Sequence, residues 1–218
     1  MTSSIEPLQL IVAGIGTEIG KTVASAVLVE SLRADYWKPV QSGELDNSDT
    51  ATVRRLISNP ASVFHPEAYR LTQPLSPHAA AAYDGKQIRL DNLLRIPKTT
   101  NALVIELAGG LLVPLNDHDL SIDFVRQSAL PVVLVSRNYL GSINHTLLSV
   151  EACRTRSIPI LGILFMGDSV PATETFILNY TGLPCIGRIG QEPTLTKEVI
   201  QTYATTVSPR LRQLIEAF

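Results

Sequence analysis

Two cysteines in 218 residues leave no disulfide framework to build on, and Cys153 and Cys185 lack the spacing of metal ligands. Both are expected to be buried thiols in a reducing compartment, which points to the cytoplasm. Met1-Thr2-Ser3-Ser4-Ile5-Glu6 has neither the basic start nor the apolar stretch of a signal peptide. No run reaches the roughly 20 apolar residues that a membrane helix requires, so no membrane partner is expected. Excess positive charge is missing too. The net charge is −2 and no Lys/Arg cluster stands against it, which argues against a nucleic-acid partner. Repeats, linkers and low-complexity segments are likewise absent. What remains is a 45% hydrophobic chain long enough to fill one α/β core, hence a single domain over residues 1–218.

The apolar run Leu8-Gln9-Leu10-Ile11-Val12-Ala13 leads into Gly14-Ile15-Gly16-Thr17-Glu18-Ile19-Gly20-Lys21-Thr22, and residues 23–33 then have helical period. A strand, a glycine-rich turn and Gly-Lys-Thr opening a helix are the layout of a phosphate-binding loop. The glycines let backbone N–H groups converge on phosphate oxygens with no Cβ in the way, and the helix N-terminus adds favourable partial charge. Lys21 reaches the transferring phosphoryl group, and Thr22 offers its hydroxyl to Mg²⁺. Gly14, Gly16, Thr17, Glu18, Ile19, Gly20, Lys21, Thr22 and Val23 form the candidate nucleotide-binding set. In the common form G-x-x-x-x-G-K-[ST] a glycine stands where this chain has Ile15. Here it stands one residue earlier, at Gly14, so the loop is one residue longer.

Downstream, strand-length apolar runs alternate with helical segments. Residues 36–40 read as a short strand that stops near Pro39, which has no N–H for a ladder. Residues 48–57 read as a helix capped by Ser48, and 76–83 as another with Ser76 as cap and Pro77 in its first turn. Residues 102–106, 131–136, 158–165 and 184–187 read as strands, and 141–154 and 173–178 as helical. A last helix turns Leu211, Leu214, Ile215 and Phe218 to one face. This alternation implies an α/β fold of P-loop NTPase type, a mostly parallel sheet with helices on both faces.

Ligands of such sheets sit at the carboxyl ends of the strands, and polar residues gather there. Lys38 and Gln41-Ser42-Gly43 follow the second strand, Glu106 ends the third, and Ser136 and Arg137 end the fourth. A carboxylate after Ala102-Leu103-Val104-Ile105 has the pattern of a Walker-B acid, which holds Mg²⁺ directly or through water. The alternative is a strand-end charge facing solvent. Asp49 supplies a second carboxylate to the same ion, or else is a surface acid stabilised by the helix dipole. Thr22, Asp49 and Glu106 are the candidate metal ligands. Lys38, followed by proline at the end of an apolar strand, is badly placed for a solvent role, and an anionic ligand explains it.

In these residues the chain resembles the dethiobiotin synthetase family. Gly14 to Thr22 is similar to that family's G-T-x-T-x-V-G-K-T loop, extra residue included. Lys38-Pro39-Val40-Gln41-Ser42-Gly43 resembles its K-P-V-x-S-G, Asn47-Ser48-Asp49 its N-S-D, and Ser76-Pro77-His78 its S-P-H. Glu106-Leu107-Ala108-Gly109-Gly110 resembles E-G-A-G-G, and Gly141-Ser142-Ile143-Asn144-His145-Thr146-Leu147-Leu148 resembles G-x-I-N-H-x-L-L. The motifs keep the family's order from residue 8 to about 190.

The resemblance implies ATP- and Mg²⁺-dependent closure of a cyclic urea. 7,8-Diaminopelargonic acid takes up CO₂ as a carbamate, the γ-phosphoryl of ATP passes to it, and the second amine displaces phosphate, giving dethiobiotin. Lys21 and Lys38 are then the catalytic cations, and Thr22, Asp49 and Glu106 match the family's metal positions. Thr17, Glu18, Lys38, Ser42, Gly109 and Gly110 fall to the diamine or its carbamate. By the same likeness Gly141, Ser142 and Asn144 reach across a two-fold interface to the substrate carboxylate of the other subunit, so a homodimer is implied. The alternative for Asn144 and His145 is plain helix capping. His145 receives no catalytic role.

The chain also departs from the family pattern. Gly16 stands where the family often has Asp. Leu107 replaces a glycine, and its side chain is expected to crowd what lies above the strand end and shift the backbone at Gly109 and Gly110. Met166 stands where the family commonly has the asparagine that reads the adenine edge. A thioether cannot donate and accept as an amide does, so Met166 is expected to cover the base by contact alone and relax selectivity for ATP. Arg188-Ile189-Gly190 occupies the region of a usual proline. Competing readings are a regulatory or partitioning ATPase, a cobyrinic-acid amidating relative and a nucleotide-binding homologue that has lost catalysis. The first usually carries a signature lysine inside the loop, where this chain has Ile15 and Gly16. The second needs extra domains, and the third takes Leu107 and Met166 as signs of drift.

Overall fold

The computed structural model describes residues 7–218; residues 1–6, on which the expectation about a signal peptide rests, lie outside the described residues. Strand β1 (Gln9–Gly14) is buried from Leu10 onward, and helix α1 (Lys21–Leu32) opens directly after the glycine-rich turn. Two short strands follow, β2 (Asp35–Trp37) and β3 (Val40–Ser42), where one strand over 36–40 is expected. Pro39 divides them, since it has no N–H to extend the β2 ladder. Helix α2 (Asp49–Leu56), β4 (Phe64–His65) and β5 (Tyr69–Leu71) come next. β3 leaves the main sheet and pairs in parallel with β5 as a separate two-stranded sheet.

The rest of the chain runs α3 (Pro77–Tyr83), α4 (Leu90–Leu93), β6 (Leu103–Gly110), α5 (Ser121–Ser128), β7 (Val132–Arg137), α6 (Ser142–Arg154), β8 (Ile160–Met166), α7 (Pro171–Thr181), β9 (Cys185–Ile189) and α8 (Lys197–Glu216). Seven strands form one sheet in the order β4-β2-β6-β1-β7-β8-β9, parallel at every pairing. β6 is longer than expected. It continues through Gly110, so Glu106 lies inside the strand and not at its end.

The apolar runs of β1, β6 and β7 follow from having both faces covered. On one face Leu10, Val12, Val104 and Val133 join a core cluster with Val27 and Leu28 of α1, Val53 of α2 and Val207 of α8. On the other, Ile11, Ala13 and Ile105 cluster with Leu90 and Leu93 of α4 and Phe124 of α5. Each fully buried Leu, Ile or Phe contributes about 1.5–3 kcal/mol, which is what clamps helices to both faces and fixes the strand ends that build the site.

Ser48 caps α2 as expected, its Oγ accepting from the Ala51 N–H at 3.2 Å. Ser76 does not cap α3. Its hydroxyl meets His78 Nδ1 at 3.0 Å, and Pro77 opens the helix with no N–H to satisfy. On α8, Leu211 is buried and Leu214 and Ile215 half-buried, but Phe218 lies past the helix end and is exposed. Cys153 is buried as expected, whereas Cys185 is only half-buried. Among the described residues no helix is long and apolar enough to cross a membrane.

Candidate active site

The turn between β1 and α1 wraps the carboxyl edge of the sheet at its centre. Gly20 has φ +93°, and a Cβ on it would stand 2.7 Å from Met166 Cε at the end of β8. Glu18 adopts the same left-handed region without being glycine, at φ +56°. Ile19 is the turn's apolar anchor, buried in the cluster under α1. Gly16 is not sterically required, because nothing lies closer than 4.0 Å to a Cβ built there. Lys21 folds back over the turn and donates to the Gly16 carbonyl at 2.9 Å. Burial lowers its ammonium to about 8; the charge on Lys38 adds to this, and Glu106 and Asp49 oppose it.

Beside this lysine, residues from four elements converge. Thr22, in the first turn of α1, donates to Asp49 Oδ1 at 2.7 Å and approaches Glu106 Oε1 at 3.0 Å. Lys38 Nζ lies 2.6 Å from Asp49 Oδ2 and 2.9 Å from Glu106 Oε1. Glu106 is buried, so its solvent-facing reading does not hold; Asp49, half-buried in the first turn of α2, also pairs with the buried Lys38. Burial works to lower Lys38, but Glu106 and Asp49 outweigh it and raise the ammonium above its ordinary value. Burial pushes Asp49 up while Lys38 outweighs it, so its carboxyl is held below the usual range.

Tyr36 escaped the sequence reading, and Gln41 was grouped with the strand-end polar residues but given no role. Tyr36 donates its phenolic hydrogen to Glu106 Oε2 at 2.9 Å. Gln41 accepts from the Asp49 N–H at 3.2 Å and donates to the Gly43 carbonyl at 3.1 Å, tying β3 to the start of α2. A signal existed for Tyr36: it stands two residues before Lys38, the spacing that puts side chains on one side of an extended strand.

Thr22, Asp49 and Glu106 present a hydroxyl and two carboxylates, a hard-oxygen set. Mg²⁺ at about 2.1 Å from its ligands sets neighbouring octahedral oxygens about 3 Å apart. The spacings from Thr22 Oγ1 meet that geometry, so these residues fit such an ion. Among the described residues no cluster of three His, Cys, Asp or Glu side chains is present.

A cavity of about 820 Å³ opens over the cluster. Of the expected site residues, Thr17, Glu18, Gly20, Lys21, Thr22, Val23, Lys38, Ser42, Asp49, Glu106 and Gly109 line it. Gly110 sits just behind, where a Cβ would be 3.5 Å from the Gly14 carbonyl oxygen. Leu107 does not crowd this space. It alternates to the opposite side of β6 and is buried in the core cluster with Leu115 and Phe124. Met166 is buried against Gly20, at the P-loop rather than in the cavity.

Gly141, Ser142 and Asn144 are not brought to this cavity. Gly141 and Asn144 are exposed at the start of α6, near exposed Tyr139, Leu140 and Leu148, while Ser142 is buried. Neither Asn144 nor His145 caps the helix: Gly141 occupies the cap without a side-chain bond, and His145 Nδ1 pairs with the Tyr139 hydroxyl at 2.8 Å.

A phosphate loop at the carboxyl edge of a parallel sheet, with its lysine folded onto it and a hydroxyl–carboxylate cluster alongside, defines the P-loop NTPase class. Solved structures agree on the fold. A ParA family ATPase from Chlorobium tepidum TLS superposes with a TM-score of 0.58 at 13% identity, over 96% of each chain. The septum site-determining protein MinD complexed with Mg-ADP from Pyrococcus horikoshii OT3 gives 0.59 at 12% identity, over 98% of this chain and 96% of that one. Identities so low speak for architecture alone.

Residues 8–199 match a family model described as an AAA domain. The ATP-dependent dethiobiotin synthetase BioD of Christiangramia forsetii is 49% identical over 208 residues, 95% of this chain and 100% of that protein. That of Cytophaga hutchinsonii is 46% identical, covering 88% of this chain and 93% of its own. This chain belongs to the dethiobiotin synthetase family, a family of ATP-using ligases.

Proposed function

We propose that this protein closes the ureido ring of dethiobiotin from 7,8-diaminopelargonic acid and CO₂, with ATP converted to ADP and phosphate. The observation that carries this reading is the buried Lys38 ammonium, held beside Thr22 and two carboxylates on the wall of the cavity that the P-loop also lines. The reaction must bring a carbamate against a γ-phosphate. Two like charges 4 Å apart cost about 4 kcal/mol at an effective dielectric of 20, and Lys21 and Lys38 supply the opposing charge.

In this scheme the turn from Gly14 to Thr22 and Val23 cradles the phosphates through backbone N–H groups, and Lys21 follows the γ-phosphoryl. A carbamate oxygen attacks γ-phosphorus as the bond to the ADP oxygen breaks. The second amine then attacks the carbamoyl carbon, the C–O bond to phosphate breaks, and the amine proton leaves with the products. Thr22, Asp49 and Glu106 would hold Mg²⁺, which would supply Lewis-acid polarisation of the phosphate oxygens. Ser42 supports a substrate contact: the residue lines the cavity, and its buried Oγ has no hydrogen-bond partner in the protein, a costly state that a ligand reaching it relieves. Thr17, Glu18, Gly109 and Gly110 border the same space or the loop beside it and orient the diamine. Met166, packed on Gly20, belongs to the nucleotide side.

The exposed start of α6 supports a homodimer in which Gly141, Ser142 and Asn144 serve the substrate carboxylate of the other copy. The test is phosphate release that requires diamine and bicarbonate together. Release without diamine overturns the ligase reading in favour of a regulatory ATPase. Nucleotide binding with no release under any condition favours a chain that has lost catalysis.

A further inference from the structure

Asp49 already serves two side-chain partners and Glu106 three. Thr22 Oγ1 stands 2.7 Å from Asp49 Oδ1 and 3.0 Å from Glu106 Oε1. Lys38 Nζ stands 2.6 Å from Asp49 Oδ2 and 2.9 Å from the same Glu106 Oε1. Glu106 Oε2 is engaged by Tyr36 at 2.9 Å. Oε1 is therefore the oxygen on which the hydroxyl, the ammonium and any divalent ion converge. Lys38 Nζ donates to Oε1, and Thr22 Oγ1, whose single hydrogen goes to Asp49 Oδ1, crowds the same oxygen at 3.0 Å. An ion drawing on Thr22, Asp49 and Glu106 meets a cation bound to the same two carboxylates, at a range where like charges repel strongly.

We propose that Lys38 and the divalent ion are mutually exclusive partners of Asp49 and Glu106. Metal binding detaches Lys38 Nζ from both carboxylates and turns it into the cavity, where it receives the carbamate. The inference rests on the reading of Thr22, Asp49 and Glu106 as metal ligands. The charges close in both arrangements. With the ion seated, two carboxylates are matched by the metal alone, and the single charge of Lys38 is free for one carbamate. With Lys38 on the carboxylates, that charge is already committed. Lys38 keeps one fixed acceptor throughout, the Leu107 carbonyl 3.5 Å away, which guides its reach. The order follows: metal first, substrate anion second. Lys38 thus couples the two sites as well as supplying charge.

Mn²⁺ is the probe, with free ion followed by electron paramagnetic resonance and no nucleotide added. Lys38→Met is expected to bind Mn²⁺ about tenfold more tightly than the native chain, because the competing cation is gone. Its melting temperature is expected to rise more on Mn²⁺ addition than the native chain's does. Equal or weaker affinity overturns the exclusion. Should Lys38→Met fail to fold, a crystal structure of the native chain with Mn²⁺ and ADP decides. The expected result is Mn²⁺ on Thr22, Asp49 and Glu106 with Lys38 Nζ beyond ion-pair distance of both carboxylates. Nζ still bonded to both beside a seated ion overturns the exclusion and leaves the metal site standing. An ion seated away from these residues overturns the metal reading itself, and with it this inference.

Discussion

Tyr36 and Glu106, 70 residues apart in sequence, share a 2.9 Å hydrogen bond in which a fully buried phenol donates to a buried carboxylate. Burial, with the negative charge of Glu106 next, holds the Tyr36 hydroxyl protonated far above its usual range, so the donor is never lost at working pH. One oxygen of Glu106 is thereby fixed, and the other is aimed at Thr22 and Lys38.

Tyr36→Phe keeps the ring and removes only the donor. A buried carboxylate oxygen left unpaired costs about 1–3 kcal/mol, read as a lower urea midpoint at unchanged slope. The Mg²⁺ concentration for half-maximal activity is expected to rise in the same variant. An unchanged Mg²⁺ requirement would show that Tyr36 does not orient Glu106 for an ion.

The two lysines separate by function. Lys38→Ala is expected to abolish diamine-dependent phosphate release, by about a hundredfold or more, while nucleotide affinity stays near normal. Lys21→Ala weakens both. Equilibrium ADP binding alongside steady-state turnover checks this, and near-normal dethiobiotin synthesis by Lys38→Ala would remove that lysine from the chemistry.

Lys21 also gives a pH signature. Its ammonium is lowered by burial from 10.5 to about 8 in the folded chain. Between those values the unfolded chain retains a proton the folded chain has lost, so this group makes stability rise with pH from about 8 to about 10.5. A bound triphosphate restores the charge. Nucleotide binding is therefore expected to take up a proton at pH of about 9 and none at about 6.5, measured calorimetrically in buffers of different ionisation heat. Lys21→Met abolishes the uptake. No uptake by the native chain would mean that Lys21 is charged before nucleotide arrives.

How much of this was legible in the sequence depends on the range of the interactions. The P-loop was readable whole, because its glycines, lysine and threonine act within nine consecutive residues. Asp49 and Glu106 were readable by type, but their pairing was not: it depends on Lys38 arriving from a third segment. Gln41 was legible only as a polar residue after the second strand, since its partner is the backbone of Asp49. Strands β4 and β5 were missed because two or three residues are too few to show a period. Leu107 misled for a related reason. A substitution beside a motif suggests interference, but alternation along β6 turns that side chain into the core.

Assembly is open to complementation. A Lys21→Ala chain mixed with an Asn144→Ala chain is expected to recover activity, because one site of the hybrid has both groups intact. Hybrids confirmed by mass spectrometry but inactive would count against a site shared between copies.

Base selectivity is the fifth expectation. Met166 packs on Gly20 and offers no amide to a base edge. GTP and CTP are expected to support turnover within about tenfold of ATP, a difference of about 1.4 kcal/mol or less. Met166→Asn sharpens the preference. An ATP advantage beyond about a hundredfold would show that other groups read adenine.

Pro39 has an effect that reaches past its own turn. The phosphate loop, Thr22, Lys38 and Glu106 are mounted on, or directly beside, the seven-stranded sheet, whereas Gln41 and Ser42 ride on the small β3–β5 pair, with Pro74 to Pro77 beyond. Among the described residues no ladder links the two sheets, so the cavity has one wall on the main sheet and a separately hung wall on the small one. Mutations in the second wall can reshape the cavity without disturbing the strand ends that hold the first. Divergence of substrate within this architecture is therefore cheap in structural terms, with Gln41, bonded to the Asp49 backbone, as the tether that limits how far the walls can drift apart.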